Sequence, residues 1–346
     1  MISEATTAQW TELIRRALKL SKLDPWNYFR ETDFLRVESL ISKDSYWVSF
    51  ADAGESGRSL ICAAGQYGLC NLLESLCGTD AGTEEARLYG QDSLAVYFAC
   101  QEELTPYDIQ LMKVCGAQAS SPGDILYFRR LEPGYVPWTL TGDEVMILAD
   151  LLANITSAAE DYISGKAEAF FPLGNVLARR YDKETGEWTT QSEKLHIPSR
   201  EYHSELLRDE LLLARLRRKQ LVDARLELDV FRLPVPLDDD AGKKPFYPGM
   251  ALIADEKTGQ LVEFEVFTPD DSEIDTVVSL IMGFIEKYGR PLIFYVQNRK
   301  VKDMLGEVCR KIGIPVRVLS FLSAINSFKY AKGISRQPTQ EDSLTK

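Results

Sequence analysis

The chain has 346 residues, 45% hydrophobic and 27% charged, the balance of an ordinary globular protein with room for two or three domains. It holds no run of about 18 apolar residues and no basic-then-apolar start, so a membrane-spanning helix is excluded and a cytoplasmic protein without a leader or membrane partner is expected. Six cysteines with no C-x-x-C pair, and only His196 and His203, leave no material for multi-His zinc sites and little for Ser-His or Cys-His catalysis.

The predicted fold class is α+β. Residues 1–165 read as a mixed α/β domain, with helices over 6–21, 68–77 and 105–115 and strands in "FLRVESL", "YWVSFAD", "SLAVYFA" and "ILYFRR". Thr105-Pro106 opens one helix, and Thr141 with Glu144 forms a capping box for a longer one that reaches about 163. In "CAAGQYGL" two glycines stand at a strand-to-helix turn, where either tight packing or a backbone anion site would use them. "GESGRS" has neither the spacing nor the lysine of a phosphate-cradling loop. The cysteines Cys62, Cys70, Cys77, Cys100, Cys115 and Cys309 mostly flank apolar residues and read as small buried hydrophobes, with a reactive thiol as the competing reading.

Residues 166–240 are predicted as a connecting region. It holds a hairpin turning at Glu184-Thr185-Gly186, a helix over 204–221 and the strand "RLELDVFRLPVPL". "DDDAGKKP" then reads as a linker. Residues 246–330 follow as a ββαβαβ layer with RNase H-like strand order, and 333–346 as a flexible tail.

That strand order raises a chemical question. A nuclease core of the integrase type needs acids on the first strand, at the end of the strand after the first helix, and on a later helix, together holding paired divalent ions. Asp255 can stand at the first position. The second falls at the end of "RPLIFYVQN", where Gln297 and Asn298 supply amides without charge. Glu307 lies on the solvated side of its helix, and Asp255 also suits a strand-to-turn junction. Magnesium or manganese is therefore expected only if the nuclease reading holds.

Charge is uneven. Residues 287–346 carry a balance of +8 and the rest of the chain −20. Arg290, Arg299, Lys300 and Lys302 could form a polyanion face, or merely solvate helices. "LDPWNYF" and "LEPGYVPW" place Trp26, Tyr135 and Trp138 beside prolines, as a partner-contact surface or as a lid on the core.

These aromatic segments, with "SLAVYFACQEELTPYDIQLMKVCG", "YFRRLEPGYVPW" and "RPLIFYVQNRKVKDMLGEVCRKIGIPV", resemble an uncharacterised bacterial family made of two adjoining domains of unknown function, over about residues 8 to 328. The resemblance implies a cytosolic bacterial protein and brings no activity, cofactor or catalytic residue. The expected function is a non-enzymatic binding or interaction protein with an unknown protein or small-molecule partner. The rivals are a metal-dependent phosphodiesterase or nuclease using Asp255, and a non-catalytic nucleic-acid-binding module using the basic face.

Overall fold

The computed structural model describes residues 4–52, 54, 57–77, 82–98, 104–117, 125–238 and 244–334. The chain divides into two compact units. The first comprises Met1–Leu76, Gln91–Glu132 and Pro137–Ser199. The second comprises Cys77–Gly90, Pro133–Val136 and Arg200–Lys346.

In the first unit α1 (Thr7–Leu23) precedes β1 (Leu35–Glu38), β2 (Ser45–Asp52) and β3 (Arg58–Ala64), and α2 (Gly65–Cys77) starts directly where β3 ends. The next helix, α3 (Gly82–Tyr89), belongs to the second unit. The first unit resumes with β4 (Ser93–Phe98), α4 (Pro106–Val114), β5 (Leu126–Leu131), α5 (Gly142–Ile163), β6 (Asn175–Asp182) and β7 (Glu187–Lys194). The described strands form one seven-stranded sheet, ordered β5-β4-β3-β2-β1-β6-β7. All neighbours are antiparallel except β1 and β6, which pair in parallel.

Local chemistry sets the helix starts. Thr6 with Gln9, Thr105 with Asp108, and Thr141 with Glu144 each form a reciprocal capping box. Both predicted starts, Thr105 and Thr141, stand where the sequence places them. The helices α1 and α5 bury Leu13, Ala17, Leu148, Leu152 and Ile155 against one sheet face, whose strands contribute Leu35, Val48, Phe50, Leu60 and Val96. The α2 helix covers part of the other face through Leu69 and Leu72, against Trp47, Ala63 and Val176.

In the second unit α6 (Glu210–Arg217) precedes β8 (Arg225–Arg232), β9 (Gly249–Asp255), β10 (Leu261–Phe267) and α7 (Glu273–Tyr288). Then come β11 (Ile293–Val296), α8 (Arg299–Ile312), β12 (Val316–Val318) and α9 (Ser323–Ala331). The sheet order is β10-β9-β8-β11-β12. The first three strands are mutually antiparallel, while β8, β11 and β12 run parallel. The helices α6, α7 and α8 pack on one face, and α9 on the other.

Two expectations change here. The predicted connecting region is divided between the sheets: its hairpin is the β6–β7 edge of the first, and its strand, β8, is the centre of the second. The last layer is therefore βββαβαβα, with α9 added. The helix predicted over 204–221 shortens to α6, preceded by a single 3₁₀ turn at Glu205–Arg208. Most of the predicted linker and the tail beyond 334 lie outside the described residues.

Candidate functional site

The strand β8 reads "RLELDVFR". Leu226, Leu228 and Val230 enter the α7–α8 core, so the alternation turns Glu227, Asp229 and Phe231 to the α9 face. Both sheet faces are covered, and the two carboxylates are only 1% and 3% exposed. A buried, unpartnered carboxylate costs several kcal/mol. Here neither is unpartnered.

Asp229 Oδ2 lies 2.5 Å from Nζ of Lys329, on α9. Its Oδ1 accepts from the Val230 backbone N–H, and the same ammonium sits 4.1 Å over the Phe231 ring. Glu227 meets the start of α9. Its Oε2 accepts from the backbone N–H groups of Ala324 and Ile325, at 2.9 and 3.0 Å, and its Oε1 from the Ser323 hydroxyl. Leu322 at the N-cap offers no side-chain cap, so a carboxylate from another element does that work, favoured by the helix dipole.

The neutral pair after β11 is engaged in the same place. Asn298 Oδ1 caps α8 by accepting from the Val301 N–H. Gln297 accepts from Asn326 Nδ2 and donates to the Ser320 carbonyl. Tyr295 pairs with Glu227 in the parallel register of β11 and β8, and Gln297 follows just beyond the end of β11. Asn326 and Lys329 are three apart on α9 and share one helix face.

Further charges surround this pair. Lys300 donates to both oxygens of Glu273. Glu85, on α3, accepts the Arg232 backbone N–H at 2.8 Å. Burial pushes its carboxyl up to about 7, against the pull of Lys300 and Lys329 and with added push from Asp229 and Glu273. Burial would raise Glu273 likewise, but the Lys300 ammonium holds it below its ordinary value.

Each predicted site residue can now be placed. Asp255 closes the β9–β10 turn, its Oδ1 accepting from the Thr258 N–H and hydroxyl at 2.7 and 2.8 Å. No group of three His, Cys, Asp or Glu side chains that could hold a metal ion occurs among the described residues. Trp26 is 8% exposed, edge-on to Phe50 and Phe98, and donates to the Ser59 carbonyl. It is a core residue, which removes it from the predicted contact surface. Tyr135, in the second unit, donates its hydroxyl to Asp270 and carries Lys244 over its ring. Trp138, in the first, exchanges two backbone hydrogen bonds with Arg130 and remains 39% exposed.

The predicted polyanion face also resolves into separate roles. Arg290 donates to the Lys219 and Ile312 carbonyls, and Lys300 is held by Glu273. Arg299 and Lys302 are exposed. Lys287 and Lys311 meet Glu263 and Glu307, so much of the C-terminal positive balance neutralises this unit's own acids. Cys62 and Cys309 are buried thiols, that of Cys309 pushed up to about 12 by burial, which suits core packing rather than nucleophilic work. Cys100 lies outside the described residues.

Sequence reasoning passed over Glu227, Asp229, Glu85 and Lys329. The available signal was alternation of acids with Leu226, Leu228 and Val230 in a strand followed by another aromatic, Phe231, on the acids' own face.

The fold is thus an α+β pair of mixed sheets, and the second sheet places two carboxylates at its centre against one helix. Residues 10–179 match the family model of a domain of unknown function, DUF7309, and residues 212–331 that of a second, DUF6930. The chain carries these two domains one after the other along its sequence. No curated protein matches it. Among the described residues no helix is long and apolar enough to cross a membrane.

Proposed function

We propose that this chain is a non-enzymatic binding protein whose second unit has an RNase H-like core with its cation position taken by a lysine. Strand order supports the reading. Counted from β8, the sheet runs third-second-first-fourth-fifth, antiparallel over the first three and parallel over the last two. In the integrase-type arrangement an acid stands on the first strand, and here that strand is β8 with Glu227 and Asp229, not β9 with Asp255.

One contact carries the reading: the Lys329 ammonium 2.5 Å from Asp229. The acid that would hold a divalent ion already has a cation, tethered to its own chain by α9. A metal would have to displace it, and would meet at the second position only the Gln297 amide, whose two ends are already bonded. Glu227 is committed to the α9 N-terminus. The acids therefore fasten a helix to a sheet.

Thermal melting with and without magnesium or manganese tests this. The melting temperature stays unchanged, and labelled DNA and RNA remain intact. Saturating a real metal site about a hundredfold over its Kd would add roughly 2.7 kcal/mol, or about 5 °C or more. Such a rise, or metal-dependent cleavage abolished by Asp229→Asn, overturns the reading.

A further inference from the structure

On the sheet face opposite α1 and α5, α2 covers only part of the first unit. Beside it Arg36 of β1, Trp47 of β2 and Arg180 of β6 line a cavity of about 570 Å³, together with Glu193, Lys194 and the start of α2. That volume lies within the range of small-molecule sites.

The cavity's electrostatics are incomplete. Arg36 and Arg180 share one carboxylate: Glu193 Oε2 is 2.6 Å from Arg180 Nη2 and 3.5 Å from Arg36 Nη1. Arg36 also donates to the Ser45 hydroxyl, and Glu38 lies 4.0 Å from Arg180 Nε. The Nε atoms of both guanidiniums are buried and lack hydrogen-bond partners. Lys194 adds a third cation to the wall. A buried donor left unmade is costly, and the pair shares too few acceptor oxygens.

The backbone adds donors of the same kind. The α2 helix begins at Gly65, with φ +61°, immediately after the last residue of β3 and with no acidic side chain in its first turn. Its first N–H groups have no intrahelical acceptor. The two glycines of "GQYG" divide the work. A Cβ on Gly68 would lie 2.7 Å from the Ala63 carbonyl carbon, so Gly68 serves close packing of helix on strand. A Cβ on Gly65 would meet nothing within 4 Å, and Gly65 and Gln66 line the cavity.

We propose that this cavity binds a small phosphorylated molecule, with its phosphate held by Arg36, Arg180 and the first turn of α2. Arg36, Arg180 and Lys194 stand against two carboxylates, Glu193 and Glu38, and a phosphate supplies the charge still lacking and enough oxygens for two planar guanidiniums and backbone N–H groups together. The volume leaves space for an organic remainder. The chain's net charge of −12 does not forbid this, because beyond a Debye length of about 8 Å exposed charges are largely screened. The proposal is independent of the reading of the second unit, and each can fail alone.

Calorimetric titration of the full chain with inorganic phosphate and with phenyl phosphate, in chloride buffer with acetate as control, tests it. Both phosphates bind and acetate binds at least about tenfold more weakly, a difference of roughly one charge-assisted hydrogen bond. Arg180→Gln weakens phosphate about tenfold. Glu193→Gln, which removes the charge both guanidiniums share, tightens it severalfold, whereas a purely structural Glu193 would give no gain. Lys194 is exposed, so Lys194→Gln leaves the fold intact and weakens binding about threefold, even where the other variants misfold. No heat with either phosphate for both the native chain and Glu193→Gln, or acetate binding as tightly as phosphate, overturns the proposal.

Discussion

In the second unit the β8 carboxylates are closed by the chain itself, with Lys329 on Asp229 and three α9 donors on Glu227. In the first, Arg36 and Arg180 share Glu193 and keep buried Nε groups without acceptors. Both arrangements use sheet-borne charges facing a helix, and they differ in what the helix brings. The α9 helix arrives with donors and an ammonium that complement the acids, so that all four oxygens of Glu227 and Asp229 have a donor. The α2 helix arrives by its N-terminus, which adds positive character beside cations that already outnumber Glu193 and Glu38. A layer closed in this way has no residual valence for a ligand. An open one, beside solvent, can hold its surplus until an anion arrives.

The largest effect breaks the closed side. Lys329→Met keeps the side chain's length and apolar stem but leaves Asp229 buried without a counter-charge, and costs about 3–5 kcal/mol. Adding Asp229→Asn recovers most of the loss, since replacing both members of a buried pair is often nearly neutral. Urea denaturation of the two variants measures this. A loss under about 1 kcal/mol for the single variant would show that solvent reaches the pair and that the contrast between the two units is false.

A smaller effect sharpens the contrast from the rim of the same layer. Glu85 is the carboxylate that its neighbouring cations do not fully match, and its carboxyl stands near 7 in the fold against an ordinary 4.5. Between those values the folded chain holds a proton that the unfolded chain has released. Stability from this group is therefore full below about 4.5 and falls as pH rises through about 7. Glu85→Gln retains an acceptor for the Arg232 N–H without the charge. It leaves stability at pH 4 unchanged and raises it at pH 8 by about 1–2 kcal/mol, less than the roughly 1.4 kcal/mol per unit would give because the side chain is partly exposed. Melting both proteins across this range checks the sign as well as the size.

What the sequence discloses follows the distance over which each feature is encoded. The capping boxes at Thr105 and Thr141 and the hairpin at Gly186 are written within a few residues, and they stand where expected. The place of β8 depends on pairing with β11, more than sixty residues later, and nothing in "RLELDVFR" states it. Nothing local marks its acids as buried, because the complement, Asn326 and Lys329, lies on a short helix a hundred residues on. For the same reason the C-terminal positive balance resembled a polyanion surface: the acids that neutralise Lys300 and Lys329 come from other elements of the fold. The proline-flanked setting of Trp26 leaves a contact surface and a core lid both open, and Phe50 and Phe98, on strands distant in sequence, decide for the core. The cavity in the first unit was half legible, in the glycines of "CAAGQYGL". Its cations arrive from β1 and β6, which become neighbours only in the sheet.

The smallest effect separates β8 from β9 as the strand that matters. Asp255 receives two hydrogen bonds from Thr258 through one oxygen, at the end of a hairpin. Asn retains a side-chain carbonyl acceptor there and suits the same turn. Asp255→Asn therefore changes stability by less than about 0.5 kcal/mol, as a surface change away from buried charge does, and it leaves the absence of a magnesium response as it was. Asp229→Asn alone leaves Lys329 buried against a neutral amide and costs several times more. If instead Asp255→Asn were the costly change and Asp229→Asn the mild one, the first strand would have to be counted from β9, and the charge layer against α9 would lose its claim to the cation position.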